Sequence, residues 1–138
     1  MITRATRHDR ADLAAFLAAH GIERDLAEGV AFIAREGAIV GCVRLVEVAP
    51  QTLVVDDLLV AEHKRGAGLG EQLLQAAMNS RGGTLYAAST AEHAGLFRRS
   101  GFTEVPEGDL PGPVTDYLTR VGDHPRRPGR IDTYLRAR

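Results

Sequence analysis

The sequence predicts an α/β domain with a mixed, mostly antiparallel central sheet of six to seven strands flanked by helices. Three observations predict it. Runs rich in β-branched residues alternate with segments of helical periodicity. The tight Glu36-Gly37 turn joins two of the strand runs as an antiparallel hairpin. Finally, 138 residues that are 44% hydrophobic and 25% charged have the size and composition of a single core, so residues 1–138 are expected to form one domain.

In chain order, Ile2-Thr3-Arg4-Ala5-Thr6 reads as a short strand. Asp9 is placed to cap a helix whose apolar positions Leu13, Phe16 and Leu17 recur at helical spacing. A second short helix is expected over residues 25–29. Residues 30–35 and 39–48 form the hairpin. The run from Thr52 to Val60 is apolar at nearly every position except Asp56 and Asp57, as in a central strand covered on both faces. A glycine-rich turn follows, then a helix lined by Leu69, Leu73, Leu74, Ala77 and Met78 that ends near Ser80, with Gly82 and Gly83 beyond it. Residues 84–88 read as strand and 91–100 as helix. Gly101 is the left-handed terminator of that helix, and residues 102–105 are strand. A Pro-, Gly- and Arg-rich stretch over 106–130 reads as loop with a turn of helix at 114–120. The alternating residues 131–135 supply the last strand.

Composition excludes several classes of function. With 17 Lys and Arg against 18 Asp and Glu, the net charge of −1 lacks the basic excess of a nucleic-acid binder. No run approaches a membrane span and the N-terminal residues lack the apolar stretch of a signal peptide, which together predict a cytoplasmic protein. Cys42 is the single cysteine, and His8, His20, His63 and His124 show no ligand spacing, so no metal is expected.

The chemistry is concentrated in the turn Val60-Ala61-Glu62-His63-Lys64-Arg65-Gly66-Ala67-Gly68-Leu69-Gly70-Glu71. A strand enters it and an amphipathic helix leaves it, so backbone N–H groups and a helix N-terminus face one space, which suits a phosphate. Glycine accepts positive φ there and removes the Cβ that would hold a ligand away. A Walker loop would end in Gly-Lys-Ser/Thr, whereas this turn ends Gly70-Glu71-Gln72. A dinucleotide GxGxxG is likewise absent.

What matches is Arg65-x-x-Gly68-x-Gly70 directly after a buried strand. This resembles the acetyl-coenzyme A signature (Q/R-x-x-G-x-G/A) of the GNAT N-acetyltransferase superfamily. A second stretch, Thr90 to Phe102, resembles the family's helix that ends in Gly-Phe before a strand. More loosely, residues 84–111 are similar to the acetyltransferase domain of N-acetylglutamate synthases and to the arsenic-resistance N-acetyltransferases.

The resemblance implies a sheet splayed at its two central strands, residues 52–60 and 84–88, with acetyl-CoA as co-substrate in the gap. Leu58, Leu59 and Val60 would hold the pantetheine and thioester, and a backbone N–H near Leu59 would stabilise the oxyanion. Gly66, Ala67, Gly68, Leu69, Gly70 and Glu71, following Arg65, would bind the pyrophosphate. An alkyl amine with a pKa of about 10 must lose a proton before it can attack. Asp56 or Asp57 would take it, only one of them facing the cleft, since neighbouring strand residues point to opposite faces, and Asp56 is preferred.

Phe97 stands where many members carry the tyrosine that protonates the leaving thiolate. Thr90 stands where the family often has Asn, and His93 is a substitute acid or an exposed helix residue. The basic run Arg126-Arg127-Pro128-Gly129-Arg130 would meet a substrate carboxylate or the 3′-phosphate of coenzyme A, or is simply solvated. The activity implied is acetyl transfer to the primary amine of a small, amino-acid-like molecule by direct attack in a ternary complex, by a monomer or homodimer. The alternatives are an acyl-CoA-binding regulatory module, to which Phe97 points, and a protein N-acetyltransferase.

Overall fold

A computed structural model describes residues 2–91, 93–121 and 133–138. Seven strands form one sheet in the order β1-β2-β3-β4-β5-β7-β6. They are β1 (Ile2–Arg4), β2 (Val30–Glu36), β3 (Ala38–Ala49), β4 (Thr52–Val60), β5 (Thr84–Ser89), β6 (Thr103–Val105) and β7 (Thr133–Ala137). The helices are α1 (Arg10–Ala19), α2 (Leu69–Ser80), α3 (Ala94–Arg99) and α4 (Gly112–Arg120). β1 with β2, β2 with β3, β5 with β7 and β6 with β7 pair antiparallel, whereas β4 and β5 pair parallel. The chain divides into two compact units, Met1–Val46 with Asp56–Arg81, and Glu47–Val55 with Gly82–Arg138.

In the first unit β3 is buried at every position from Ile39 to Val46, because both of its faces are covered. On one face Leu13 and Leu17 of α1 join Ile33, Ile39, Cys42 and Leu59 in the core. The alternate residue, Gly41, serves the other face: a Cβ there would stand 2.9 Å from Leu73 Cδ1 and 3.2 Å from Leu59 O. The missing side chain is what lets α2, with Leu73, Leu74 and Ala77 fully buried, lie against the strand.

In the second unit β5 runs between the start of β4 and β7. The β4–β5 ladder extends from Thr52↔Thr84 to Val55↔Ala87 and ends there, although β4 continues to Val60. Phe97 of α3 packs edge-on against Phe102, with ring centroids 5.3 Å apart. Gly101, at φ +99, reverses the chain so that the Phe102 amide donates to the Phe97 carbonyl at 3.0 Å, as expected of a helix terminator. α4 is fuller than the expected single turn. Its prolines stand at the N-cap and in the first turn, where a missing N–H costs nothing, and Val114 and Tyr117 bury one face.

Several expectations need correction. Residues 25–29 are a turn and not a helix: the Ala27 amide donates to Asp25 Oδ1 at 3.0 Å and the Glu28 amide to Asp25 O at 3.0 Å. The Asp25 and Glu28 carbonyls also accept from Arg44, and Gly29 sits at φ +75. Asp9 does not cap α1 with its side chain. It closes a capping box with Thr6 around the 3-10 turn Arg7–Asp9, accepting from the Thr6 amide at 2.8 Å. α3 begins three residues later than expected, at Ala94. The last strand is Thr133–Ala137, and its expected start at Ile131 and Asp132 lies outside the described residues.

Candidate active site

The glycine turn forms as its residues require. After β4 a 3-10 turn, Glu62–Lys64, leads to Arg65, whose Nε donates back to Val60 O at 3.1 Å. Lys64 Nζ pairs with Glu36 Oε2 at 2.8 Å and ties the turn to the end of β2. Gly66 (φ +87) and Gly68 (φ +82) both occupy the left-handed region, and a Cβ on either would meet nothing within 4 Å. They are glycine for the backbone and for the open space above it. Gly68 is the N-cap of α2, and the first helical bond runs from the Gln72 amide to Gly68 O at 3.1 Å. The amides of Leu69 and Gly70 precede that bond, so the positive end of a 12-residue helix opens onto this space. Arg65, Gly66, Ala67, Gly68, Leu69, Gly70 and Glu71 thus follow one another through this turn, none of them buried, at a helix N-terminus of the kind that attracts anions.

Upstream on β4, the two aspartates depart from simple alternation. Asp57 has φ +52, and its amide donates to Asp56 Oδ1 at 2.9 Å. A left-handed residue inside a strand breaks the period of two. As a result both carboxylates lie on one guanidinium: Arg24 Nε is 3.1 Å from Asp57 Oδ2 and 3.6 Å from Asp56 Oδ2. The expectation that they point to opposite faces is therefore corrected.

Asp57 is the more enclosed, its side chain 2% exposed against 20% for Asp56. Its Oδ2 also accepts from Arg44 Nη1 at 2.9 Å, and Arg44 Nη2 donates on to Glu28 O at 2.9 Å. Burial, and then the Asp56 charge, push the Asp57 carboxyl up, against the opposing pull of Arg24 and Arg44. Cys42 donates its thiol to Asp57 O at 3.3 Å, and burial pushes that thiol far above its usual range, so it is an inert core group. Leu58 and Val60 are half-buried and Leu59 is buried.

In the second unit, Thr90 Oγ1 and His93 Nδ1 lie 2.9 Å apart, and the His93 amide donates to the same hydroxyl at 3.3 Å. His93 is an exposed residue at the start of α3. Phe97 is buried beside Phe102 and fills the core where a tyrosine hydroxyl would need a partner. The basic run 126–130 lies outside the described residues. Among the described residues no group of three or more His, Cys, Asp or Glu could hold a metal ion, and no helix is long and apolar enough to cross a membrane.

Sequence reasoning missed Arg24 and Arg44. The signal was present for Arg44: an arginine in the apolar run Gly41-Cys42-Val43-Arg44-Leu45-Val46 requires a buried counterion, and Asp56-Asp57 in the next apolar strand is the complement.

Comparison with known proteins identifies the family. The profile of the acetyltransferase (GNAT) domain matches residues 27–104, which include the hairpin, the acidic strand and the glycine turn. The chain belongs to the GNAT acetyltransferase family. Among solved structures, a GNAT-family acetyltransferase from Staphylococcus aureus superposes with a TM-score of 0.70 at 16% identity, over 99% of this chain and 96% of that one. A Mycobacterium tuberculosis protein in complex with CoA gives 0.69 at 19% identity, over 99% and 97%. The N-acetylglutamate synthase of Neisseria gonorrhoeae, complexed with coenzyme A and N-acetyl-glutamate, gives 0.67 at 24% identity. It aligns over all of this chain but 35% of its own length. These likenesses show the fold. A search of curated proteins finds no match to the sequence.

Proposed function

We propose that this chain, as a single GNAT acetyltransferase domain over residues 1–138, transfers an acetyl group from acetyl-CoA to the primary amine of a small molecule by direct attack in a ternary complex. The observation that carries the reading is the glycine turn, with two left-handed glycines under open space at the N-terminus of α2. Bound there, acetyl-CoA supplies the acetyl group as an activated thioester. Gly66 to Glu71 hold its pyrophosphate through backbone amides, and Leu58, Leu59 and Val60 line its pantetheine arm.

Asp56 accepts the proton that the ammonium must lose, because it is the more accessible member of the acidic pair, whereas Asp57 is committed to two guanidiniums. Arg24, touching both carboxylates, holds Asp56 in place. The thiolate leaves without a tyrosine at position 97, since a thiol pKa of about 8.5 makes it a good leaving group. The Thr90–His93 pair belongs to the same proposal as polar groups beside the family's second motif. An amino-acid-like acceptor is the substrate class favoured, in line with the fold shared with an N-acetylglutamate synthase. The protein is proposed to act in the cytoplasm.

The test is a free-thiol assay of the purified chain with acetyl-CoA against amino acids, polyamines, aminoglycosides and short peptides, beside calorimetry with acetyl-CoA alone. Amine-dependent thiol release is expected. Asp56→Asn should lower kcat/KM by roughly 10²-fold or more while leaving acetyl-CoA affinity unchanged. Binding with no turnover on any amine would replace the enzyme with a regulatory acyl-CoA-binding module.

A further inference from the structure

A cavity of about 150 Å³ opens in the first unit beside the 3-10 turn that precedes α1. Four of its lining residues are arginines, Arg4, Arg7, Arg10 and Arg44, and the single acidic one is Glu28. Arg44 is neutralised by Asp57 at 2.9 Å. Arg4, Arg7 and Arg10 make no ion pair with a carboxylate among the described residues.

Their convergence follows from the local fold. Arg4 ends β1, Arg7 opens the 3-10 turn and Arg10 is the first residue of α1, so a strand end, a tight turn and a helix start set residues three apart around one opening. Glu28 is one acid on the cavity wall against these three arginines, and the two acids of the neighbouring turn and helix are engaged elsewhere. Asp9 bonds the Thr6 amide with one oxygen and Arg35 with the other, at 3.0 Å, and Asp12 is 3.1 Å from the same Arg35. A chain with 17 basic and 18 acidic residues thus concentrates unbalanced positive charge at one concavity, next to the positive end of a ten-residue helix. Like charges held this way repel one another unless an anion stands among them. A cavity of about this volume accommodates a six-carbon ring.

We propose that this cavity is a binding site for a small anion, the carboxylate or phosphate group of a low-molecular-weight ligand held by charge-assisted hydrogen bonds from Arg4, Arg7 and Arg10. The three arginines are exposed on the free protein and their replacement removes no core contact. The readout is binding, and none of them belongs to the glycine turn, so the outcome is independent of whether the chain transfers acetyl groups. Calorimetric titration of acetyl-CoA in parallel reports on that reading separately.

The experiment titrates the full chain with glutarate and, separately, with inorganic phosphate at constant ionic strength set by sodium chloride. Saturable binding of at least one of them is expected, weakened roughly tenfold by Arg7→Gln and by Arg10→Gln at unchanged melting temperature. The tighter of the two probes identifies the anionic group. Absence of saturable binding by either probe, or affinities that both variants leave untouched, would overturn the site. Should a variant fail to fold, amide chemical shifts of the unmodified chain decide: shifts at residues 6–10 and 29–31 support the site, and shifts confined elsewhere refute it.

Discussion

Arg44 is 1% exposed, yet it carries a full charge in the middle of an apolar strand. Its hydrogen bonds explain how: one Nη meets the Asp57 carboxylate and the other meets the Glu28 carbonyl. Removing one partner of such a pair is far more damaging than replacing both, because the survivor is left buried and short of a counterion, Asp57 keeping only Arg24. Arg44→Ala should therefore destabilise the fold by about 3 kcal/mol or more at neutral pH, measurable by urea unfolding.

The pH dependence of that loss follows from Asp57. Its folded-state carboxyl is pushed above the ordinary 3.8, so the folded state holds the proton more tightly than the unfolded state. The stability this confers is present below 3.8 and lost as pH rises through the folded value. Arg44 is one of the groups that limit the rise, so deleting it extends the loss to higher pH. The gap between the variant and the parent should widen from acid towards pH 7. A gap that stayed constant with pH would mean that Arg44 acts only through the carbonyls.

Among the elements, the turn into α2 was the most legible in sequence. Glycine at alternate positions after an apolar strand reads as positive φ in a tight turn, and Gly66 and Gly68 have that conformation. Gly68→Ala should cost about 1–2 kcal/mol through left-handed strain, since its Cβ meets no atom, and should weaken acetyl-CoA binding by occupying the open space. Paired unfolding and calorimetric measurements separate the two effects. Residues 25–29 were misread for an instructive reason. Their composition allows a helix, but Asp25 turns the chain with its own side chain and Arg44, 19 residues from Asp25, takes up the carbonyls a helix would use. The alternation rule failed at Asp56-Asp57 for a similar cause, a positive φ stabilised by guanidiniums from elsewhere in the chain.

At the scale of the whole molecule, the chain crosses from one compact unit to the other within β3 and again within β4, between Val55 and Asp56. The glycine turn, the acidic pair and the arginine-lined cavity all belong to the first unit. A ligand that binds only the folded state stabilises it by mass action. Acetyl-CoA at a hundred times its Kd should add about 2.7 kcal/mol, a rise in Tm of roughly 10 °C by calorimetric scan. Coenzyme A without the acetyl group should give a similar rise if the pyrophosphate amides dominate, whereas acetate alone should give none.

Local patterns in the sequence determined the order of the strands and most of the helices, the helix expected at 25–29 excepted, together with the apolar central strand and the glycine turn, and with them the family. Each of these rests on contacts between residues near one another in the chain, such as period, capping and turn conformation. Only the tertiary structure decided that the Asp25–Glu28 carbonyls bind Arg44, that two neighbouring aspartates share Arg24, and that Arg4, Arg7 and Arg10 surround a cavity. Burial makes those arrangements matter: a charge removed from water must find its partner wherever the fold brings one, and that partner carries no signal in the neighbouring sequence.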